Sequence, residues 1–178
     1  NVGNAEGIIE EDEKEMIHSI VTLGETSAKE VMTPRTSMLA FEATKTINEV
    51  WDDIIDNGFS RIPIYEETID NIIGILYVKD LMEHIKNNEL NLPIKQFVRA
   101  AYFVPETKSI IEILKEFRTL KVHIAMVLDE YGGVVGLVTI EDLIEEIVGE
   151  IRDEYDDEED SFYTKLSDNE YEVDAMTD

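Results

Sequence analysis

The sequence predicts an α+β protein of two β-α-β-β-α units related by a pseudo-twofold axis, with an N-terminal helix before them and an acidic extension after them. Three observations carry this prediction. The first is an internal repeat. Residues 59–85, FSRIPIYEETIDNIIGILYVKDLMEHI, align without a gap on residues 121–147, KVHIAMVLDEYGGVVGLVTIEDLIEEI, at an offset of 62. Ile62 meets Ile124, Gly74 meets Gly136, Asp80 meets Asp142, Leu81 meets Leu143, Glu83 meets Glu145 and Ile85 meets Ile147, and the apolar pattern matches nearly throughout. The second is that short apolar runs give way, in each copy, to apolar residues at helical spacing. The third is a packing argument: one unit alone would expose a sheet face, and two sheets packed together bury both and leave grooves at the seam.

The elements follow in order. Residues 6–23 have helical spacing, with Ile9, Met16, Ile17, Ile20 and Val21 on one face and acidic residues early, where a helix favours anions. Gly24 suits its end. Pro34 stops any helix in Val31–Arg35 and biases Thr33 toward extended backbone. Met38–Phe41 suggests a short strand. Thr46 can cap a helix through about Asn57, carrying Ile47, Val50, Trp51, Ile54 and Ile55. Ile62–Tyr65 and Asn71–Leu76 are expected as strands around the polar turn Glu66–Asp70. A helix bearing Val78, Leu81, Met82 and Ile85 comes next, and Asn87–Pro93 connects. The second unit repeats the order: a strand at Ala100–Val104, a helix marked by Ile110, Ile111, Leu114 and Phe117, strands Val122–Leu128 and Val134–Val138 about Gly132-Gly133, and a final helix. That helix is the clearest of all, with Ile140, Leu143, Ile144, Ile147, Val148 and Ile151 in one stripe. Phe162–Val173 alternates weakly, as at the start of another small β unit. The expected boundaries are 1–30 for the helix and its linker, 31–88 and 99–152 for the two motifs, 89–98 between them, and 153–178 for the extension.

Composition narrows the function. The 178 residues carry a net charge of −26 and no Cys. Residues 141–178 contribute −15 and residues 1–30 contribute −6, against −5 for all of 31–140. Nucleic-acid binding is disfavoured, because it needs clustered cations against phosphates. No apolar run approaches the ~20 residues that span a bilayer. The run Asp153–Asp160 lacks the spacing of a calcium loop and fits a solvated tail.

The strongest constellation is Gly136-Leu-Val-Thr139-Ile-Glu-Asp142, a strand running into a helix start. Thr139 and Asp142 sit in that first turn, where a hydroxyl and a carboxylate three apart suit a ribose and free N–H groups suit a phosphate. The same spacing is also a capping pattern, and the two roles are compatible. In the first unit the equivalent is Gly74-Ile-Leu-Tyr77-Val-Lys-Asp80, where the bulk of Tyr77 reshapes the groove, so the two clefts should be unequal. Arg61, beside Ser60 and ahead of a buried strand, is either a surface cation or a bidentate phosphate ligand. His18, His84 and His123 lack metal-ligand spacing; His123 aligns with Arg61 and is either a strand-end residue or part of the second cleft. No nucleophile motif or Walker-type loop is present, so no catalytic site and no metal site is expected.

At these residues the chain resembles a tandem pair of CBS motifs. It is similar in particular to the cytoplasmic region of CorC-type, hemolysin C-like magnesium and cobalt transporters, related to the cyclin M proteins. The stretches that carry this are Glu30–Arg35 (EVMTPR), Phe59–Ile64 (FSRIPI), Gly74–Leu81 (GILYVKDL) and Val127–Glu150 (VLDEYGGVVGLVTIEDLIEEIVGE). The resemblance implies a regulatory, non-enzymatic module that binds AMP or ATP, the latter with Mg²⁺, and works as a homodimer at the cytoplasmic face of the membrane. The family's pocket maps onto Thr33 near the base, Ser60, Arg61 and Ile62 near base and phosphates, and Thr139 and Asp142 at the ribose. Tyr77, Asp80 and His123 mark a second, departing cleft. The resemblance also implies a membrane domain preceding residue 1 and the start of a truncated transporter-associated domain after about residue 158. Two other readings remain open from sequence: a standalone soluble energy sensor with the same pocket, and a hemolysin-type cytolysin, which the chain supports poorly because it lacks a cationic amphipathic element.

Overall fold

In a computed structural model, residues 2–149 are described. Ile151, the acidic run and the weak β pattern at 162–173 therefore lie outside the described residues. Helix α1 spans Val2–Glu25 and is followed by a short α2, Ala28–Val31. The first unit comprises β2 (Phe41–Glu42), α3 (Ile47–Asn57), β3 (Arg61–Tyr65), β4 (Ile72–Tyr77) and α4 (Met82–Lys86). The second comprises β5 (Phe103–Pro105), α5 (Ile110–Leu120), β6 (Ile124–Leu128), β7 (Val134–Thr139) and α6, over residues 140–149. The β-α-β-β-α order therefore holds in both halves.

Local chemistry explains these boundaries. Glu49 accepts a hydrogen bond from the Thr46 backbone N–H at 2.9 Å, closing the start of α3. Gly58 ends the same helix in the left-handed conformation, φ 70°. The Ser109 hydroxyl accepts from the Glu112 N–H at the start of α5. The helix expected after β4 is split: Val78–Leu81 forms a 3-10 turn before Met82–Lys86 turns α-helical. The tighter turn lets Leu81 reach the core, where it is fully buried.

Each sheet has one parallel and one antiparallel pairing within its own unit. β2 runs parallel to β3, which pairs antiparallel with β4; β5, β6 and β7 repeat this. The two ladders share an irregularity at the same place, between Ile64 and Tyr65 and between Val127 and Leu128. Strand alternation then divides the side chains between two sides. One side of each sheet carries its own helices. Ile62, Ile64 and Leu76 pack with Ile47, Val50 and Ile54 in the first unit, and Ala125, Val127 and Val138 pack with Ile110, Ile113 and Phe117 in the second. The opposite sides meet each other through Ile72, Ile75, Ile124, Met126, Val134 and Leu137. This shared core holds the halves together.

An exchange of connecting segments adds to it. Strand β1, Thr33–Pro34, precedes the first unit in sequence but pairs antiparallel with β7 of the second, Thr33 opposite Leu137. Symmetrically, Arg99 leaves the connection between units and bridges to Ile75 of the first. Since Leu137 and Ile75 are 62 apart, Thr33 and Arg99 are pseudo-equivalents. Ile94, within the stretch 89–98 that connects the units, is fully buried in the first unit's core. The two aligned glycines exist for these crossings. A Cβ on Gly74 would sit 2.6 Å from the Arg99 carbonyl oxygen, and one on Gly136 would come closer still to that of Thr33. Only glycine lets the backbones approach this far.

Candidate functional site

The seam between the sheets carries a cleft of about 340 Å³, within the size range of small-ligand pockets. It collects Thr33, Ser60 and Arg61 from before or within the first unit, and Thr139 and Asp142 from the second. The chain supplies each from an element end. Thr33 is held by the β1–β7 pairing, and Ser60 and Arg61 lie where α3 gives way to β3. Thr139 ends β7, and Asp142 falls in the first turn of α6.

The Asp142 backbone N–H donates to the Thr139 hydroxyl at 3.3 Å, so the threonine does cap the helix. The Asp142 carboxylate makes no hydrogen bond among the described residues, which leaves both its oxygens free to accept. Arg61 is mostly buried, its side chain 18% exposed, with Nη1 3.3 Å from Glu141 Oε1 and Nη2 3.0 Å from His123 Nδ1. Burial pushes the Glu141 carboxyl up. Its own backbone hydrogen bond, the Arg61 charge and hydrogen bond, and the Thr139 hydroxyl outweigh this and leave it below the ordinary glutamate value. These two contacts hold the guanidinium at the cleft's edge.

Ile62 does not line the cleft. Its side chain is fully buried among Ile64, Leu76 and the α3 residues, because strand alternation turns it away from the cleft that Arg61 and Pro63 line. Sequence reasoning also missed several walls. Met38, Leu39, Phe59, Pro63 and Leu137 supply the apolar lining, and Glu141 adds a second carboxylate. Phe59 and Pro63, on either side of Ser60-Arg61-Ile62, and Leu137 and Glu141, within the repeated strand-to-helix junction, carried a signal that could have placed them.

The second cleft is larger, about 660 Å³, and opens on the same Gly58–Arg61 segment from its other side. Tyr77 and His123 line it as expected, but Asp80 does not. Arg99, at the position of Thr33, reaches across and binds Asp80 with two hydrogen bonds, 2.8 and 2.7 Å, and stacks 4.3 Å over the Tyr77 ring. These hydrogen bonds hold the Asp80 carboxyl below its ordinary value against the burial that raises it. The counterpart of the Asp142 carboxylate in this half is therefore already occupied. The two clefts are unequal through Tyr77, which the sequence reading singled out, and through Arg99 and Lys79, which it did not. Among the described residues, no group of three or more His, Asp or Glu is placed to hold a metal ion, and no helix is long and apolar enough to cross a membrane.

The family model for the CBS domain matches twice, at residues 28–87 and 93–149. The chain belongs to the CBS-domain family. Those matches begin at α2 and just before Ile94, so each CBS repeat includes the segment it donates to the other half. Among curated relatives, the magnesium and cobalt efflux protein CorC of Escherichia coli K12 is 40% identical over 169 residues, covering 95% of this chain and 58% of CorC. A UPF0053 protein of Mycobacterium tuberculosis is 40% identical over 172 residues, covering 95% of this chain and 40% of its own length. The chain thus spans roughly half the length of these relatives. A solved CBS domain of the bacterial CNNM/CorC family Mg²⁺ transporter in complex with ATP superposes with a TM-score of 0.72 at 45% identity, covering 78% of this chain and 98% of that one. A CBS-domain pair with bound AMP from Klebsiella pneumoniae gives 0.61 at 27% identity, covering 69% and 98%.

Proposed function

We propose that this CBS pair is a regulatory adenosine-nucleotide-binding module of a CorC-type magnesium and cobalt transporter. The observation that carries the proposal is the seam cleft, where Thr33, Ser60, Arg61, Thr139 and Asp142 converge from three separate stretches of the chain. In this reading the base lies near Thr33 against the apolar wall of Leu39 and Leu137, Asp142 accepts from the ribose hydroxyls, and Ser60 and Arg61 hold the phosphates. The free carboxylate of Asp142 and the fixed guanidinium of Arg61 fit a nucleoside phosphate in both chemistry and order. The relatives described with ATP and with AMP support the ligand class, and those named for efflux or transport support the context.

Charge favours ATP accompanied by Mg²⁺. Arg61 faces Glu141 and Asp142 in the same cleft, so a bare triphosphate meets little net positive charge. A divalent cation offsets that repulsion. The module acts as a homodimer at the cytoplasmic face of the membrane, passing a nucleotide-dependent change in packing to a membrane domain of the same full-length protein. A ligand shifts such an equilibrium only by its differential affinity for the two states. The dimer surface is carried by α3, α4 and α6, where Ile55, Met82, Ile144 and Val148 stay exposed while Leu143 and Ile147 of the same α6 stripe pack into the core.

Calorimetric titration with AMP, ADP and ATP, each with and without Mg²⁺, tests this. Binding should be detected, be tightest for Mg²⁺-ATP, and weaken in both Asp142→Ala and Arg61→Ala. No heat at millimolar ligand refutes the reading, and parent-like binding in both variants moves the site elsewhere.

A further inference from the structure

We propose that the second cleft is a separate site for a phosphate anion without a nucleoside, of the class of inorganic phosphate or pyrophosphate. The inference does not depend on nucleotide binding in the first cleft. It starts from a concentration of charge. The chain has only 15 Lys and Arg against 41 Asp and Glu, yet Arg61, Lys79, Arg99 and Lys121 line this one cleft together with His123, and no carboxylate lines it. Arg61 and Arg99 have carboxylate partners in Glu141 and Asp80. Lys79 and Lys121 enter no ion pair among the described residues. The cleft therefore keeps a positive surplus inside a strongly negative protein, which focuses anions onto it.

Comparison of the two halves sharpens the chemistry. Across the pseudo-twofold axis Arg99 stands for Thr33, Tyr77 for Thr139 and Lys79 for Glu141, while the strand registers put His123 at the place of Ser60 and Ile124 at that of Arg61, one position away from the ungapped sequence alignment. Two of these changes remove nucleoside recognition. Tyr77 fills the place of the small hydroxyl, and Arg99 takes both oxygens of Asp80, the residue that would meet a ribose. A third, Lys79 for Glu141, replaces an anion with a cation. One cleft has lost its sugar-binding carboxylate while gaining phosphate-binding donors.

The backbone of Lys121 is a second, independent observation. Lys121 ends α5 in the left-handed conformation, φ 55° and ψ 41°, donating its N–H to the Phe117 carbonyl. The equivalent cap of α3 is Gly58, φ 70°. Glycine adopts this conformation freely and a residue with a Cβ does so at a cost. The second unit thus keeps a lysine where its twin keeps the better-suited residue, and that lysine lines the cleft. Strain held at a cleft mouth is accounted for if the side chain has work there.

The test is calorimetric titration of this chain with pyrophosphate, and separately with inorganic phosphate, in metal-free buffer at low salt. Pyrophosphate should bind, and more weakly as salt rises. Lys121→Gly and Lys79→Gln should each weaken it by about tenfold, the effect of losing one charge-assisted hydrogen bond. Lys121→Gly relieves the backbone, so its melting temperature should equal or exceed the parent's, which separates lost binding from lost folding. Lys115→Gln, which removes a charge on the exposed side of α5, should bind as the parent does. Saturating adenosine should not displace the anion. The proposal is overturned by an absence of binding at millimolar pyrophosphate, by parent-like binding in both cleft variants, or by displacement with adenosine. Failure of the nucleotide reading would instead appear as absent Mg²⁺-ATP binding with pyrophosphate binding intact.

Discussion

Arg61 sits between the two clefts, one guanidinium nitrogen on Glu141 and another on His123. A phosphate entering the first cleft competes with Glu141 for that cation. Glu141 is 63% exposed, and an exposed pair of this kind is worth only ~0.2–1 kcal/mol. Glu141→Gln should therefore tighten ATP binding by about two- to fivefold without Mg²⁺, and by less with it, as read by titration. An unchanged or weaker affinity would show that Arg61 is not where the phosphates sit. Asp142 has a different role. Its backbone N–H is already capped by Thr139 and its carboxylate is free, so Asp142→Ala leaves the helix start intact while removing the ribose acceptor. A loss of about tenfold in nucleotide affinity is expected, with little change in melting temperature. Thr139 and Asp142 could be singled out from the sequence because the strand-to-helix junction is local. Arg99 could not. Its partner Asp80 lies 19 residues back, and nothing along the chain marks the two as facing one another.

At the scale of elements, the exchanged strands decide whether the first cleft exists. β1 is two residues long, carries Thr33 and pairs with Gly136 and Leu137 of β7, its Thr33 carbonyl lying against Gly136. Gly136→Ala forces its new methyl onto the Thr33 carbonyl oxygen, a backbone atom that cannot swing aside. Urea unfolding should show a loss of ~1–3 kcal/mol, the usual cost of overpacking, and Mg²⁺-ATP affinity should fall with it because Thr33 is displaced. Parent-like stability would mean that the crossing is looser than described. A second clamp lies at the other end of β7. Asp70, in the turn of the β3–β4 hairpin, accepts from Arg35 Nη1 at 2.6 Å and from the Val134 N–H at 3.0 Å. The Arg35 hydrogen bond, with that of Val134, holds the Asp70 carboxyl below its ordinary 3.8. The folded protein thus keeps Asp70 ionised where the unfolded chain has begun to take up a proton. Its contribution is complete above about pH 4 and is lost as pH falls further. Asp70→Asn should flatten the acid limb of a stability-versus-pH profile, whereas an unchanged limb would assign it to other carboxylates. The repeat units themselves were legible in the sequence, because apolar periodicity and turn residues act over a few positions. β1 and the buried Ile94 were not, since their partners lie in the other half of the fold or across a connection.

Across the whole molecule, duplication gives a shared core and two clefts, and divergence makes the clefts unlike. The core between the sheets rests on few side chains, with Met126 and Ile75 almost wholly buried in it. The apolar residues it cannot cover, Ile55, Met82 and Ile144 among them, are the surface proposed for a second copy. Ile144→Glu should shift the sedimentation behaviour toward the monomer while leaving the fold intact, and an unchanged species would remove α6 from that interface. The expected pairing of sheets with grooves at the seam followed from the repeat alone. The unequal chemistry of those grooves followed only in part, from Tyr77 against Thr139. The central claim is that an adenosine nucleotide occupies the first cleft. Its most direct test is titration of isotopically labelled protein with Mg²⁺-ATP, followed by amide chemical shifts. Changes should concentrate at Thr33, Ser60, Arg61, Thr139 and Asp142 and saturate together; a spectrum unmoved at those amides, or moved only around α1 and α5, would contradict it.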